Sequence, residues 1–338
     1  MRKVRLGRTN LMASKTAFGA LPIQRINMND AKKLLRKAYN AGINFFDTAR
    51  GYTDSEEKIG SALHDVRHEM IIATKSGAAD RTTLLQQLET SLRNLRTDYV
   101  DILQLHNPSR LPDADDPESS YAGLLEAQKK GMVRFLGLTS HMLKLAVEAV
   151  TSGKYDTIQF PLSALSSKEE LELIDICKMH DAGVIAMKAL CGGLLTNIPA
   201  AFSFLNQFDT VVPIWGIQLE KELDEFLSLD RDPPELSQAM LSAIDNERER
   251  LSGDYCRGCG YCLPCPEEIP IPMAARITFL MQRAPTEIFI TREWQEKIGR
   301  IENCRMCEHC IQHCPYELNV PAILKKMHRE YQEYLVSR

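Results

Sequence analysis

Short runs of β-branched and aromatic residues alternate, from about residue 16 onward, with longer stretches in which apolar residues recur at helical spacing. The longer stretches, such as NDAKKLLRKAYNAG and KEELELIDICKMHDAG, predict helices that end in a glycine suited to the left-handed position after a helix. The short runs predict eight β-strands, at residues 16–21, 45–48, 70–75, 99–106, 134–140, 156–160, 183–189 and 210–215.

Eight strand-helix units favour a (β/α)8 barrel, because an open doubly wound sheet usually stops at about five or six strands. The pattern ends after the helix LEKELDEFLSL, where a polar and helical connector, SQAMLSAIDNERERLSGDY, follows. From about residue 253, two cysteine-rich motifs flank a mostly helical stretch. We therefore predict an α/β chain with a barrel at 1–232, a helical connector at 233–252 and a small, mainly helical domain at 253–338.

The composition is that of an ordinary globular protein with a sizeable core, since 44% of the 338 residues are hydrophobic and 25% are charged. Lys and Arg number 41 and Asp and Glu 45, so the formal charge of -4 predicts neither nucleic acid nor an anionic membrane surface as partner. No apolar run reaches the roughly 18–20 residues that a bilayer requires, and the start MRKVRLGRTNLMASK is polar where a signal peptide is apolar. We expect a cytoplasmic protein.

Cysteine usage separates the last quarter of the chain from the rest. Only Cys177 and Cys191 precede residue 256. In a chain without an export signal, metal ligation explains such clustering better than disulfides do. The candidate ligands are Cys256, Cys259, Cys262, Cys265, Cys304, Cys307, Cys310 and Cys314.

The spacing of these cysteines is that of a cluster-binding protein. The second run, C-x2-C-x2-C-x3-C-P, has the spacing of bacterial-type ferredoxins, in which three thiolates hold one cubane cluster and the fourth reaches the other. The first run repeats it with one residue fewer before its last cysteine, a departure that leaves other partitions open. The crossover rule predicts two [4Fe-4S] clusters, one on Cys256, Cys259, Cys262 and Cys314 and the other on Cys304, Cys307, Cys310 and Cys265.

Structural zinc on two four-cysteine sites is the alternative, since zinc also accepts thiolates from C-x2-C pairs. Zinc sites usually separate two such pairs by a longer loop, whereas three cysteines at three-residue steps before a Cys-Pro pair match a cubane better. We therefore predict a ferredoxin-type iron-sulfur domain. So short a segment has little apolar surface to bury, and we expect it to need its metal to fold.

Four polar residues fall where (β/α)8 enzymes carry their active sites, at the C-terminal ends of the strands. Asp47 ends the second predicted strand, Tyr52 follows in its loop, Lys75 ends the third strand and His106 ends the fourth. The ammonium of Lys75 is expected to lower the pKa of the Tyr52 phenol, and Asp47 to orient that lysine. His106 is expected to hydrogen bond a carbonyl oxygen that gains charge. Each residue alone has an ordinary structural explanation, but together they predict a proton-transfer site.

Three segments, NFFDTARGYTDSEEKIGSAL, IIATKS and LQLHNP, resemble the signature segments of the aldo-keto reductases. The resemblance covers residues 1 to about 230. It implies a barrel that binds NAD(H) or NADP(H) and reduces an aldehyde or ketone, or oxidises an alcohol in reverse. The family's catalytic residues correspond here to Asp47, Tyr52, Lys75 and His106, with Tyr52 as the general acid.

The resemblance also implies cofactor contacts on the later strands. Residues of the fifth and sixth strands would hold the carboxamide, and the loop after the seventh strand would bring backbone amides close to the pyrophosphate. Where many members stack an aromatic ring on the nicotinamide, this chain has Met187. The implied contacts are Thr139, Ser140, Gln159, Met187, Leu190, Cys191, Gly192, Gly193 and Gly216.

The segment after the eighth strand bears on the choice of cofactor. Many members of the family carry a basic residue there for the 2′-phosphate of NADP, whereas WGIQLEKELDEF places Glu222 near that position, with Lys221 beside it. A carboxylate that faces a phosphate is unfavourable. We therefore expect a weak preference for NADP or a shift to NAD.

The whole chain resembles a subgroup of oxidoreductases that join an aldo-keto reductase barrel to a ferredoxin-type domain. Nicotinamides exchange two electrons as hydride and cubane clusters pass one at a time, so a direct circuit normally requires a flavin or another converter, for which no motif is evident. Three hypotheses follow. The favoured one is a carbonyl oxidoreductase whose clusters exchange electrons with a partner protein or a second bound redox group. The others are an electron carrier with a scaffold barrel that docks to a larger redox complex, and a working barrel with structural or oxygen-sensing clusters.

Overall fold

In the part of the chain that the structure describes, the strands form one closed barrel and one hairpin. The computed structural model describes residues 1–251, 255–281 and 286–337. All eight predicted strands are present and close into the predicted barrel, so the open sheet is excluded. In chain order the strands are β1 Lys3–Arg5, β2 Met12–Ser14, β3 Ala17–Gly19, β4 Phe45–Asp47, β5 Ile71–Ser76, β6 Val100–His106, β7 Val133–Thr139, β8 Thr157–Pro161, β9 Gly183–Met187 and β10 Val211–Gly216.

The barrel strands are parallel and follow one another in chain order, and the ring closes between β10 and β3, where Ile214 pairs with Ala17. Parallel strands in a closed ring place all their C-terminal ends at one mouth. Because β4, β5 and β6 are consecutive neighbours, Asp47, Lys75 and His106 reach this mouth from three adjacent strands.

Helices alternate with the barrel strands and also follow the last of them. Asn27, Ser119 and Ser167 each begin a helix by accepting a hydrogen bond from a backbone N–H of its first turn. No helix in the described ranges is long and apolar enough to cross a bilayer. The helices are α1 Met28–Asn40, α2 Ser55–Leu63, α3 Arg81–Leu95, α4 Ser120–Lys129, α5 Leu143–Thr151, α6 Lys168–Met179, α7 Ile198–Asn206, α8 Glu220–Arg231, α9 Gln238–Arg250, α10 Ile271–Ala274, α11 Ile277–Met281, α12 Arg292–Gly299, α13 His309–Gln312 and α14 Val320–Val336.

The glycine helix ends predicted from the sequence are confirmed after three helices and wrong after one. Gly42, Gly131 and Gly153 adopt left-handed backbone beyond α1, α4 and α5. After α6 the left-handed residue is Asp181, and Gly183 begins β9 instead. A β-carbon at Gly183 would lie 2.6 Å from Leu6 Cγ, so this glycine is needed for a close approach between segments.

An antiparallel hairpin of β1 and β2 precedes the barrel and lies outside the predicted elements. Its apolar side chains, Val4, Leu6, Leu11 and Ala13, share one buried cluster with the residues that begin β3, β4 and β5. The hairpin therefore closes the N-terminal mouth with apolar contacts and leaves the polar residues at the opposite mouth. Neither hairpin strand contains a run of β-branched or aromatic residues, so the sequence pattern did not predict it.

The chain divides into two compact units. The first comprises Met1–Ala189 and Ile198–Met240, and the second comprises Leu190–Asn197 and Leu241–Arg338. The second unit has its own apolar core, which includes three buried cysteines. The domain limits predicted at 232 and 252 stay predictions, and the structure adds the loop Leu190–Asn197 to the second unit.

Candidate functional site

A buried ion pair lies at the C-terminal mouth of the barrel. Lys75 Nζ donates to Asp47 Oδ2 at 2.6 Å and to the backbone oxygen of Thr48 at 2.6 Å, and both side chains of the pair are almost fully buried. Burial acts to lower the pKa of Lys75, but the interactions with Asp47 and Tyr52 together outweigh it, so the pKa of Lys75 is raised. Lys75 therefore remains an ammonium with a fixed orientation.

Tyr52 and His106 lie next to this pair and, unlike it, are partly exposed. Lys75 Nζ is 5.1 Å from the centre of the Tyr52 ring, and the rings of Tyr52 and His106 meet edge to face with centroids 5.9 Å apart. The structure thus brings together all four residues predicted for proton transfer. The buried pair supports the phenol and the imidazole, which are the two groups that a ligand can reach.

The phenol of Tyr52 keeps its proton at neutral pH. Burial raises the pKa of Tyr52, and the ammonium of Lys75 acts in the opposite direction without overcoming burial. Lys75 therefore acts on the pKa of Tyr52 in the predicted direction. The predicted net lowering of that pKa is wrong, because burial has the larger effect. A protonated phenol beside an ammonium suits a group that donates a proton and then carries negative charge.

The imidazole of His106 is neutral under the same conditions. Burial, reinforced by the ammonium groups of Lys75 and Lys188, lowers the pKa of His106 to about 3. A neutral imidazole can donate one N–H hydrogen bond to a carbonyl oxygen but is not the acid of the reaction. Lys188, which directly follows β9, was not singled out in the sequence because its charge becomes relevant only once β9 lies near β6.

The ring of His106 is therefore expected not to titrate between pH 5.5 and 8. Protonation is complete only below the folded pKa, far under the ordinary value of about 6.5, because the charged ring is poorly solvated and faces two ammonium groups. The imidazole proton shifts followed by NMR across this range would show the neutral form throughout. The exposed His68 serves as the reference signal. A titration step assigned to His106 inside the range would contradict this prediction.

A polar layer inside the barrel supports Asp47 and was only partly predicted. Gln104 Nε2 donates to Gln159 Oε1 at 2.8 Å and lies 3.4 Å from Asp47 Oδ1. These three residues come from β4, β6 and β8, the alternate strands that contribute to one layer of a (β/α)8 barrel. Gln104 lies two residues before His106, so strand alternation places both on the inner face and could have identified it.

The predicted carboxamide contacts are buried and hydrogen bonded at the same mouth. Thr139 Oγ1 donates to Asn107 Oδ1 at 3.1 Å and accepts from the Asn107 backbone N–H at 3.0 Å. Ser140 Oγ donates to the backbone oxygen of Met142 at 3.2 Å and accepts from its N–H at 2.9 Å. Each hydroxyl is thus held in place by one donated and one accepted hydrogen bond. Met187, at the end of β9, is buried with 8% exposure.

Two further candidate residues, Gly216 and Glu222, lie at the end of β10 and in the first turn of α8. Gly216 ends β10 and is exposed. Glu222 Oε2 accepts the backbone N–H groups of Gln218 at 2.9 Å and Leu219 at 3.0 Å, so this carboxylate caps the start of α8. Glu222 therefore has a local structural role, the capping of α8, in addition to any effect on a bound phosphate.

The loop predicted for the pyrophosphate belongs to the second unit. Its residues Cys191, Gly192 and Gly193 have left-handed backbone, with φ of 52°, 68° and 97°. Tyr255 OH lies 3.8 Å from Cys191 Sγ, and Arg250 Nη2 donates to the Leu194 backbone oxygen at 2.8 Å. The sequence contained no signal for these contacts, because they join segments far apart in the chain.

None of the eight clustered cysteines forms a disulfide, and they lie in two groups. The pKa of Cys259 is raised by burial and by the neighbouring Cys256 and Cys314. Similarly, the pKa of Cys310 is raised by burial and by three neighbouring cysteines. The last cysteine of each run therefore lies near the other run. The three neighbours of Cys310 are Cys304, Cys307 and Cys265.

The surroundings of the second group fit a cluster. Cys265, Cys304, Cys307 and Cys310 line one cavity together with Cys262 of the first run. The other walls combine apolar residues such as Ile269 and Leu324 with charged ones such as Glu267 and Arg305. Within the described residues, no three potential ligands converge tightly enough to hold a single metal ion. Ligands of a cubane need not converge in this way, because each thiolate binds a different iron atom of the cluster.

Two family profiles match the chain. The profile described as the aldo/keto reductase family matches residues 15–204, and the profile described as a 4Fe-4S dicluster domain matches residues 255–318. The first match covers more than half of the chain. The second falls on the segment that contains the two cysteine runs.

Similar proteins carry related names. The uncharacterized oxidoreductase YqkF of Bacillus subtilis is 28% identical over 213 residues, covering 59% of this chain and 68% of that protein. L-galactose dehydrogenase of Arabidopsis thaliana is 32% identical over 213 residues, covering 57% and 66%. The holo form of the aldo-keto reductase AKR11C1 from Bacillus halodurans has the same barrel, with a TM-score of 0.63 at 21% identity over 73% of this chain and 96% of that one. The chain therefore belongs to the aldo/keto reductase family of oxidoreductases and carries a 4Fe-4S dicluster domain after its barrel.

Proposed function

We propose that this protein is a nicotinamide-dependent carbonyl oxidoreductase whose iron-sulfur clusters link it to one-electron transfer. One observation carries the proposal: a protonated, partly exposed phenol lies beside a buried ammonium-carboxylate pair and a neutral imidazole. This set of groups matches the demands of carbonyl reduction, in which an oxygen gains negative charge and then a proton. The substrate is a small aldehyde or ketone, or an alcohol in the reverse direction.

Each of the four side chains has a distinct role in this reaction. Tyr52 donates its proton to the carbonyl oxygen, and the ammonium of Lys75 stabilises the phenolate that results. His106 donates a hydrogen bond to the same oxygen while charge develops on it. Asp47 keeps Lys75 charged and oriented through the 2.6 Å contact. The nicotinamide, when bound, supplies the hydride.

The cofactor contacts rest on the resemblance and on the position of these residues at the ends of neighbouring barrel strands. Thr139, Ser140, Gln159 and Met187 are the proposed contacts of the nicotinamide at the barrel mouth. The carboxylate of Glu222 disfavours a 2′-phosphate nearby. We expect either a weak preference for NADPH or a shift of preference to NADH. The remaining proposed contacts, of the pyrophosphate and beyond, are Leu190, Cys191, Gly192, Gly193 and Gly216.

The cysteines of the second unit are proposed to hold two [4Fe-4S] clusters. The proximity of Cys259 to Cys314, and of Cys310 to Cys265, supports the crossover assignment. The match to a 4Fe-4S dicluster domain supports iron over zinc. Such clusters transfer electrons singly. Exchange with a nicotinamide therefore requires a second redox group or a partner protein that converts between one and two electrons.

Anaerobic mixing experiments test this function. The purified protein is titrated with NADH and with NADPH by fluorescence, and then offered a panel of aldehydes, ketones and aldoses while nicotinamide oxidation and cluster absorbance are recorded. Oxidation of the cofactor that depends on the carbonyl compound is expected. Bleaching of the clusters without a partner indicates coupling inside the protein. Failure to bind either cofactor would sink the proposal in favour of an electron carrier, and NADPH binding about tenfold tighter than NADH would reject the cofactor preference.

A further inference from the structure

A buried guanidinium connects two turns of the second unit. Arg276 is 8% exposed, and its Nε donates to the backbone oxygen of Pro272 at 2.8 Å. A β-carbon at Gly192 would lie 2.8 Å from Nη1 of Arg276, and one at Gly258 would lie 2.7 Å from its Cζ and Nη2. The guanidinium therefore packs directly against the backbone of both glycines, and neither turn can carry a side chain without displacing it.

Each of these turns belongs to a different proposed site. Gly258 lies between Cys256 and Cys259, and its backbone N–H donates to Cys256 Sγ at 3.4 Å. Gly192 is the central residue of the left-handed turn that the family resemblance assigns to the cofactor's pyrophosphate. One cation thus adjoins a turn that holds cluster ligands and a turn that is proposed to receive an anion.

The positive charge of Arg276 is expected to stabilise negative charge at both turns. Arginine stays protonated at all relevant pH values, and a charge shielded from water acts more strongly on its neighbours than an exposed one. Reduction adds a negative charge to the cluster, and the potential of a cluster depends on the charges around it. A bound pyrophosphate and the added electron are therefore two negative charges that compete for one guanidinium.

We propose that Arg276 couples nucleotide binding at the Gly192 turn to the redox state of the cluster on the first cysteine run. Reduction of this cluster weakens nucleotide binding, and a bound nucleotide makes the cluster harder to reduce. The two effects are equal by linkage, because both describe one coupling free energy. This inference rests on the proposed function, since it requires the nucleotide to reach the Gly192 turn.

The test uses ADP-ribose, which carries the pyrophosphate but no nicotinamide. In the unaltered holoprotein, ADP-ribose is expected to shift the midpoint potential of one cluster to a more negative value. Its Kd is expected to be about fivefold or more weaker for the dithionite-reduced protein than for the oxidised protein. In Arg276→Gln the potential is expected to be more negative without ligand, and ADP-ribose no longer shifts it. The matched control is Arg292→Gln, which removes an exposed charge from the same unit.

The possible results distinguish this inference from the proposed function on which it rests. ADP-ribose that binds to the unaltered protein without shifting either cluster potential overturns the role of Arg276 and leaves the nucleotide site standing. If ADP-ribose does not bind, both the role of Arg276 and the proposed nucleotide site are overturned. Iron and sulfide analysis shows whether Arg276→Gln retains its clusters. If it does not, the measurements on the unaltered protein decide the question alone.

Discussion

Replacing Tyr52 with phenylalanine is expected to lower kcat/KM for carbonyl reduction by about 10²- to 10⁴-fold, because the substitution removes only the hydroxyl that donates the proton. The ring keeps its edge-to-face contact with His106 and its position near Lys75. The Kd of the nicotinamide cofactor is therefore expected to change little. Steady-state kinetics with the best carbonyl substrate and fluorescence titration of the cofactor measure the two effects separately.

Tyr39→Phe provides the matched control, since its hydroxyl donates at the surface to Glu69 and lies outside the proposed site. This variant is expected to retain the activity of the unaltered protein. Should Tyr52→Phe also retain it, the phenol is not the general acid and the catalytic interpretation of the barrel fails. Electron transfer that persists unchanged in Tyr52→Phe, with no carbonyl reduction in either protein, would favour the carrier hypothesis.

Substitution of single cluster ligands is expected to remove iron in a pattern that reveals the pairing. Cys310→Ala and Cys265→Ala are both expected to lose the same cluster, and with it about half of the iron and sulfide, because each cluster depends on four thiolates. Cys256→Ala and Cys314→Ala are expected to lose the other cluster. Iron and sulfide analysis gives the amount lost, and electron paramagnetic resonance of the reduced protein distinguishes the two clusters.

Cys177→Ala is the control, because this thiol is buried on α6 in the first unit and the pKa of Cys177 is raised by burial to about 12. It is expected to keep the full iron content. If Cys265→Ala instead lost the same cluster as Cys256→Ala, each run would hold its own cluster and the crossover assignment would be wrong. A colourless protein rich in zinc would overturn the iron assignment itself.

Metal loss is also expected to affect folding, because three of the cysteines are part of the core of the second unit. Protease digestion of the chelator-treated protein should therefore cut first within the second unit, and the first unit should persist.

The sequence determined the eight barrel strands and the fold class and indicated the candidate reacting groups, because these depend on local patterns. Each barrel strand is a short buried run between helical stretches, and this pattern can be recognised without knowledge of distant contacts. The cysteine spacing specified the chemistry in the same way, since the steps between ligands are set by the cluster they surround. Tyr52 and Lys75 became recognisable through their places at strand ends.

Only the tertiary structure decided the properties that depend on burial and on distant neighbours. The sequence placed an ammonium beside Tyr52 and predicted a lowered pKa, yet burial raises it. Strand alternation could have placed Gln104 on the inner face, but only the structure shows that it lies 3.4 Å from Asp47 Oδ1. Nothing in the sequence indicated that Arg276 packs against Gly192 and Gly258. The reason is physical: desolvation and contact act between segments that the fold brings together, whereas the sequence records only the order in which those segments follow one another.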